Sequence, residues 1–446
     1  MKNLLININL YGQKIGVALW NEKKETASFQ YDNKFLQTGL DVSPITMPLN
    51  KSRNIVYSFP LNRGKCFNGL PGLIADSLPD KYGTEQIDAY FSSKGISIEE
   101  ISPLDRLCYI GKRGMGALEF EPDLNLKTLD SSTAINVNEI IKIAQEIFNN
   151  RGRFNELLQQ KDKRIIDILK VGTSAGGAKP KAIIAYNDTT GEVRSGQVKA
   201  PKGFKYWLLK FDGVQFLEQD KICDNPQGIG KIEFAYSLMA KACGIEMTEC
   251  RLLQEGENFH FMTKRFDRTD EGDKIHMQTL AALTHYDRDQ MHSYEQIFET
   301  MRKLELPFKE QEQMFRRMVF NVAARNHDDH TKNHSFLMDK EGKWKLSPAY
   351  DLCYSYNPYG KYTRGHQLYI NGKKEDFDFN DLKAVSDLIG LNKGSEIINT
   401  IMDTVGEWQR FAKEAGVNRV YGNMIESKLL NLKSHDLTRR IKKING

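Results

Sequence analysis

Apolar residues change their spacing along this chain of 446 residues, and the change restricts the folds open to it. Over Leu5–Leu10 and again over Glu25–Tyr31, apolar and polar side chains mix in the alternating manner of a half-buried strand. Tyr11-Gly12-Gln13 reads as a turn, after which an apolar run resumes at Gly16–Trp20. A short helix is predicted around Gly72–Leu78, closed by Pro79. Residues 123–136 are polar and read as a linker. From Val137 to Phe148 and from Phe154 to Leu169 the apolar residues recur at helical spacing. Strands are expected at Ala182–Tyr186, Tyr206–Phe211 and Phe259–Thr263, with a hairpin turn at Asn187–Gly191 and a helix at Ile232–Cys243. Beyond about Met277 the pattern is mainly helical, broken by a loop-rich stretch from His327 to Gly365. The expected class is α+β, in three parts: a β-rich part over 1–122, an α/β part over 123–268 and a mainly helical part over 269–446.

Charge and cysteine usage narrow the setting. Lys plus Arg number 63 against 58 Asp plus Glu, a net +5 that is nearly neutral at this length and gives no support to a chain that coats nucleic acid. The N-terminal MKNLLININLYG lacks the continuous apolar stretch and cleavage site of a secretory signal. No window approaches the roughly 18 apolar residues of a membrane span. Cys66, Cys108, Cys223, Cys243, Cys250 and Cys353 form no CxxC pair and no zinc-type cluster. They are expected to be reduced thiols of a cytoplasmic protein with no membrane partner.

The densest polar cluster is ARNHDDHTKNHSF, Ala324–Phe336, followed by SPAYDLCYS. Phosphoryl transfer accounts for its spacing. That chemistry needs a carboxylate to orient or deprotonate a hydroxyl, an oxygen ligand on the same loop and a second carboxylate beyond it to hold Mg²⁺. Asp328 and Asn333 are five residues apart, as in a kinase catalytic loop, and Asp351 follows Asn333 by 18. Lys332 could neutralise charge on a transferred phosphate. A rival reading takes His327, Asp328 and His330 as ligands of a metal hydrolase, although HxxH does not place two imidazoles on one helix face as HExxH does.

A second element is the loop VGTSAGGAKPK, whose small residues Gly176, Gly177 and Ala178 let backbone N–H groups approach phosphate oxygens. It is not a Walker A sequence. Lys179 and Lys181 lie within it, and Lys210 ends an apolar strand in YWLLKFDG, where a lysine suits nucleotide phosphates. Glu233 on the next helix is a possible pairing partner for Lys210. The run Gly111–Gly116 is also glycine-rich, but apolar segments on both sides make it a turn or bulge.

These residues resemble the HipA family, the toxin kinases of bacterial type II toxin–antitoxin modules. Asp328–Ser335 is similar to the family's D-[GD]-H-x-K-N-x-S, and Pro348–Asp351 to its P-x-Y-D. Ser174–Lys181 resembles S-x-x-G-A-x-x-K, with Gly176-Gly177 and Pro180 departing from it. Lys264-Arg265-Phe266-Asp267-Arg268 resembles E-R-F-D-R, with Lys in place of Glu. In the N-terminal part, Ile110–Leu118 resembles I-G-x-x-x-x-G-A-[LV] and Ser77–Asp80 resembles L-L-P-D.

The resemblance implies a kinase-related fold with an all-helical second part. It makes Asp328 the catalytic base and Asn333 and Asp351 the Mg²⁺ ligands. Lys210 matches the nucleotide-binding lysine, Lys264, Arg265 and Phe266 would line the adenine through backbone groups, and His330 and Tyr350 join the ATP site. Ser174 matches a serine that members autophosphorylate, which switches them off by displacing the Gly-rich loop. Family substrates are aminoacyl-tRNA synthetases, and the usual partner is a small DNA-binding antitoxin, through which DNA is met only indirectly. The alternative within this setting is a weakly active co-repressor subunit of an antitoxin–DNA complex.

Overall fold

The structure, a computed structural model, describes residues 4–79, 81–124, 129–149, 163–172, 180–213, 216–218, 221–223 and 227–433. The chain divides into two compact units, each assembled from three stretches. One comprises Met1–Gly230, Thr248–Asp289 and Ser335–Ser347; the other comprises Lys231–Met247, Gln290–His334 and Pro348–Gly446.

The first unit opens with an antiparallel sheet. Its strands are β1 (Leu5–Leu10), β2 (Gln13–Asn21), β3 (Thr26–Tyr31), β4 (Tyr57–Ser58) and β5 (Leu118–Glu121), in the order β4-β3-β2-β1-β5. Ile6, Ile8 and Leu10 are buried and Leu5 is exposed, so the alternation in the sequence is the alternation of sheet faces. Leu10 pairs with Gln13, and Tyr11 and Gly12 both have positive φ, the backbone a two-residue hairpin requires. The helix Pro103–Ile110 starts from a capping box between Ser102 and Asp105 and stops at Gly111, φ +54°. It delivers the chain into the Gly111–Gly116 turn.

Seven further strands follow among the described residues from Lys181 to Lys264. They are β6 (Lys181–Asn187), β7 (Val193–Ser195), β8 (Phe204–Lys210), β9 (Phe216–Glu218), β10 (Lys221–Cys223), β11 (Cys250–Glu255) and β12 (Asn258–Lys264). β9 and β10 pair with each other; the rest form an antiparallel sheet in the order β11-β12-β8-β6-β7. Lys181–Ala185 is buried throughout, and the helix Lys163–Gly172 packs on β6, which explains why this strand reads as a continuous apolar run. A further sheet, of three strands, places Ser335–Met338 between His276–Thr279 and Trp344–Leu346.

The second unit is mainly helical. Its central helix, Phe308–Ala323, starts just after Pro307, buries Met314, Phe315, Met318, Val319, Phe320 and Val322, and packs against Gly394–Gly406. Tyr236, on the helix Ile229–Ala242, stands edge-on to Phe320 and Trp408. Its hydroxyl donates to the Ala324 carbonyl at 2.7 Å, which pins the end of the central helix. The expected α+β architecture is present: sheets in the N-terminal part and a more helical C-terminal part. That C-terminal part is not all helix. The short strands His276–Thr279, Ser335–Met338 and Trp344–Leu346 and the parallel pair His292–Ser293 with Leu368–Tyr369 interrupt it. Segments this brief are too short to display a period in sequence.

Candidate active site

The polar cluster begins where the central helix ends. Arg325 leaves the helix with φ +57°, and its guanidinium lies over the Tyr356 ring at 4.0 Å. Asn326 folds back on the helix, donating its backbone N–H to Asn321 O and its amide to Asn321 Oδ1, both at 2.9 Å.

From there a closed ring of hydrogen bonds runs through the second unit. The Asn321 amide donates to the Tyr294 hydroxyl at 2.9 Å, and that hydroxyl donates to Asp329 Oδ2 at 3.0 Å. His366 Nδ1 donates to the same oxygen at 2.9 Å, and Gln367 N–H donates to Asp329 Oδ1 at 2.7 Å. The Gln367 amide donates to Asp328 Oδ1 at 3.0 Å. Asp328 N–H donates to Ser355 Oγ at 3.0 Å, and Ser355 Oγ donates to Asn326 Oδ1 at 3.2 Å, which closes the ring.

The two adjacent aspartates therefore differ in kind. Asp329 is 1% exposed. Burial opposes its ionisation, but His366 and the Gln367 N–H outweigh that and hold its pKa below the usual carboxylate value. The Asp328 side chain is 49% exposed, so its carboxylate is open to a reacting group.

His330 caps the turn Thr331–Asn333. Its Nδ1 accepts from Lys332 N–H at 3.2 Å, so a neutral ring carries its proton on Nε2, 3.7 Å from Asp328 Oδ1. The Tyr350 hydroxyl donates to Lys332 O at 2.7 Å, and the Asn333 amide donates to Asp328 O at 2.6 Å. With its nitrogen on a carbonyl, the atom Asn333 can offer a cation is its oxygen. Asp351 stands nearby with φ +53°, a conformation that costs a non-glycine residue about 1 kcal/mol or more and that Asp tolerates better than most.

Asn333, Asp351, Asp329, Asn326, Arg317 and His334 line one small cavity of about 10 Å³, the room for a particle the size of one water. Hard oxygen donors from one Asp and one Asn are the kind that would hold a small divalent cation such as Mg²⁺. Burial lowers the His334 pKa to about 4, so this neighbour is neutral at pH 7. The metal-hydrolase reading finds no such support. His327 is buried between Tyr356 and His366, at ring-centroid distances of 5.0 and 4.2 Å, and burial followed by His366 lowers its pKa to about 3. Among the described residues no group of three His, Cys, Asp or Glu side chains is arranged to hold a metal.

Of the residues expected to contact nucleotide, Lys181, Lys210, Lys264, Arg265 and Phe266 belong to the first unit, and His330 and Tyr350 to the second. Lys210 ends β8 and pairs across the sheet with Lys181 on β6 and Phe261 on β12, which brings two lysines side by side at one end of the sheet. Lys264 ends β12 and its side chain pairs with Asp270 at 2.6 Å. Arg265 N–H donates to Tyr206 O at 2.9 Å. Its guanidinium grips both oxygens of Asp267 at 2.8 and 2.7 Å and donates to Gly196 O at 2.9 Å. Arg268 also binds Asp267 and donates to Gly114 O and Gly116 O, while Gly116 N–H donates to Asp267 Oδ2. The glycine-rich turn at Gly111–Gly116 is thus the docking place of the Arg265–Arg268 segment. Phe266 follows Arg265 in that segment. Ser174, Gly176, Gly177, Ala178 and Lys179 lie outside the described residues.

Sequence reasoning missed His366, Gln367, Ser355, Asn326, Asn321 and Tyr294. Asn326 and Ser355 stand within the polar segments Ala324–Phe336 and Ser347–Ser355 but outside the family motifs, and the other four lie outside both segments; Asp329 is in the motif only as an alternative to glycine.

Comparison with known proteins places the chain in a family. Residues 173–415 match the HipA-like C-terminal domain and residues 6–121 the HipA N-terminal domain. A Haemophilus influenzae protein with a provisional kinase name is 25% identical over 209 residues, 40% of this chain and 61% of that relative. The match thus spans less than two thirds of that relative's length. The serine/threonine-protein kinase toxin HipA of Shewanella oneidensis is 21% identical over 432 residues, 89% of this chain and 86% of that protein. A chain of the solved complex of HipA, HipB and operator DNA from Shewanella oneidensis MR-1 superposes with a TM-score of 0.62 at 18% identity, over 95% of this chain and 96% of that one. The two domain matches, one of them spanning more than half of the sequence, show that this chain belongs to the HipA family.

Proposed function

We propose that this protein is a Mg-ATP-dependent serine/threonine protein kinase. The observation that carries the reading is the arrangement of Asp328, Asn333 and Asp351 in one unit: an open carboxylate, an amide oxygen and a second carboxylate, the latter two around one small cavity. Bound Mg-ATP would supply the transferable phosphoryl group and the cation that offsets its charge. Asp328 would accept the proton of the attacking hydroxyl, Lys332 would balance charge on the phosphoryl oxygens, and Asn333 and Asp351 would hold the cation. Lys181, Lys210, the Lys264–Phe266 segment, His330 and Tyr350 are the residues proposed to serve the nucleotide. Gly176, Gly177, Ala178 and Lys179 cradle phosphate, and Ser174 is the autophosphorylation site.

The partner proposed is a small DNA-binding antitoxin, with DNA met only through it; what supports this is the fold shared with HipA of the HipB–operator complex. The substrate class proposed is an aminoacyl-tRNA synthetase, by membership of the family. Among the described residues no helix is long and apolar enough to cross a membrane. We place the activity in the cytoplasm. Transfer of labelled γ-phosphate by the purified protein tests the reading. Asp328→Asn keeps the shape but removes the base, and transfer should fall by roughly 10²–10⁴ with little change in ATP affinity. Near-wild-type transfer would overturn the assignment.

A further inference from the structure

We infer that Gln367 is a positioning residue for Asp328, held in place from behind by the buried carboxylate of Asp329. The inference rests on the kinase reading above and adds to it the device that aims the base. An aspartate at the surface of a loop rotates freely about χ1 and χ2, and a base must point at its proton within hydrogen-bond reach. Asp328 is half exposed, so packing alone does not fix its carboxylate. The Gln367 amide donates to Oδ1 at 3.0 Å and leaves Oδ2 as the atom that can face a hydroxyl.

Gln367 is itself fixed twice. Its backbone N–H is bound by Asp329 Oδ1 at 2.7 Å, and the preceding residue, His366, is bound to Asp329 Oδ2 at 2.9 Å. The residues that follow, Leu368 and Tyr369, pair in parallel with His292 and Ser293, so the segment is anchored on its other side as well. Asp329 also accepts from Tyr294, whose hydroxyl takes the Asn321 amide, and the ring returns through Asn326 and Ser355 to the Asp328 backbone. The same ring thus grips the Asp328 main chain at one end and its carboxylate at the other. Asp329 does this as a fully buried anion with three donors, an arrangement costly to leave half made.

Positioning and mere structure give different results in a double-mutant cycle. Gln367→Met keeps the length and the backbone N–H but removes the donor. It should lower kcat roughly ten- to a hundredfold, with KM for ATP and the melting temperature unchanged. Gln367→Glu, of equal size, sets a second carboxyl beside Asp328 and should lower activity and shift its pH dependence. In an Asp328→Asn background, Gln367→Met should add no further loss, because the group it aims is gone. A loss that multiplies in that background would overturn the inference.

A second readout is independent of turnover. In protein labelled with ¹⁵N-glutamine, the carboxamide signals of Gln367, assigned by their disappearance in Gln367→Met, should shift on Asp328→Asn. If they do not move, the hydrogen bond is absent and the inference fails. If they move but wild-type and Asp328→Asn proteins transfer phosphate equally, the kinase assignment of Asp328 fails and the positioning role falls with it.

Discussion

Asp267 offers the sharpest test of how the first unit is held together. Its carboxylate is 1% exposed and accepts from Arg265 twice, from Arg268 at 2.8 Å and from Gly116 N–H at 2.8 Å. Burial works against the charge, but the two guanidinium groups overcome it and hold the pKa far below the ordinary carboxylate range. Asp267→Ala would leave two buried cations facing each other and one N–H without its acceptor. Breaking a buried pair in this way costs about 3–5 kcal/mol. A unit of this size loses about 2 °C of melting temperature per kcal/mol, so the drop should be roughly 6–10 °C. Differential scanning calorimetry can measure it. Asp270→Ala is the control, since the Lys264–Asp270 pair is surface-exposed and worth at most about 1 kcal/mol. The pKa of Asp267 is lowered on folding, so its stabilisation is complete above the unfolded value of about 3.9 and lost only as the pH falls below it. The difference between wild type and Asp267→Ala should therefore be constant from pH 5 to 8. Equal melting shifts for the two variants, or a difference that fades across that range, would refute the reasoning.

Three more outcomes are expected. Burial lowers the pKa of His260 and of His276 to about 4, so each stays neutral in the folded unit, takes up its proton on unfolding and destabilises the fold as the pH drops below about 6.5. The melting temperature should fall steeply between pH 6.5 and 4, and His276→Gln should flatten part of that fall; an unchanged slope would remove His276 from the account. Asp351→Ala should weaken Mg-ATP more than metal-free ATP, because the lost contact passes through the cation; equal losses in calorimetric titrations would make Asp351 structural. Prolonged incubation with Mg-ATP should place phosphate on Ser174 and slow the protein, and Ser174→Ala should stay active longer. Intact-mass and peptide-mapping time courses follow this, and no phosphate at Ser174 after many turnovers would end that part of the proposal.

What could be read from the sequence was what the chain keeps local. The β1–β2 hairpin was legible because its alternation and its turn fall within a few consecutive residues. Asp328, Asn333 and Asp351 could be singled out in sequence because their residue types and spacing are those of a kinase loop; the structure puts Asn333 and Asp351 on one cavity and the Asn333 amide on the Asp328 carbonyl. The ring behind Asp328 was not legible, since His366 and Gln367 reach Asp329 and Asp328 across 37 to 39 residues of sequence. Gly116 meets Asp267 across 151 residues, so the glycine-rich run could be read from the sequence only as a turn. The four-residue strands Ser335–Met338 and His276–Thr279 were hidden for a different reason: they pair across a long separation and are too short to show alternation.

The segment Ser335–Ser347 belongs to the first unit, although more than a hundred residues separate it from that unit's opening stretch. On a ribosome, chains emerge N-terminus first. His276–Thr279 therefore waits with an open edge until Ser335–Met338 has left the exit tunnel, and Trp344–Leu346 completes that sheet only after that. The second unit draws on residues beyond Pro348 as well. A nascent chain halted before Ser347 thus carries neither unit whole.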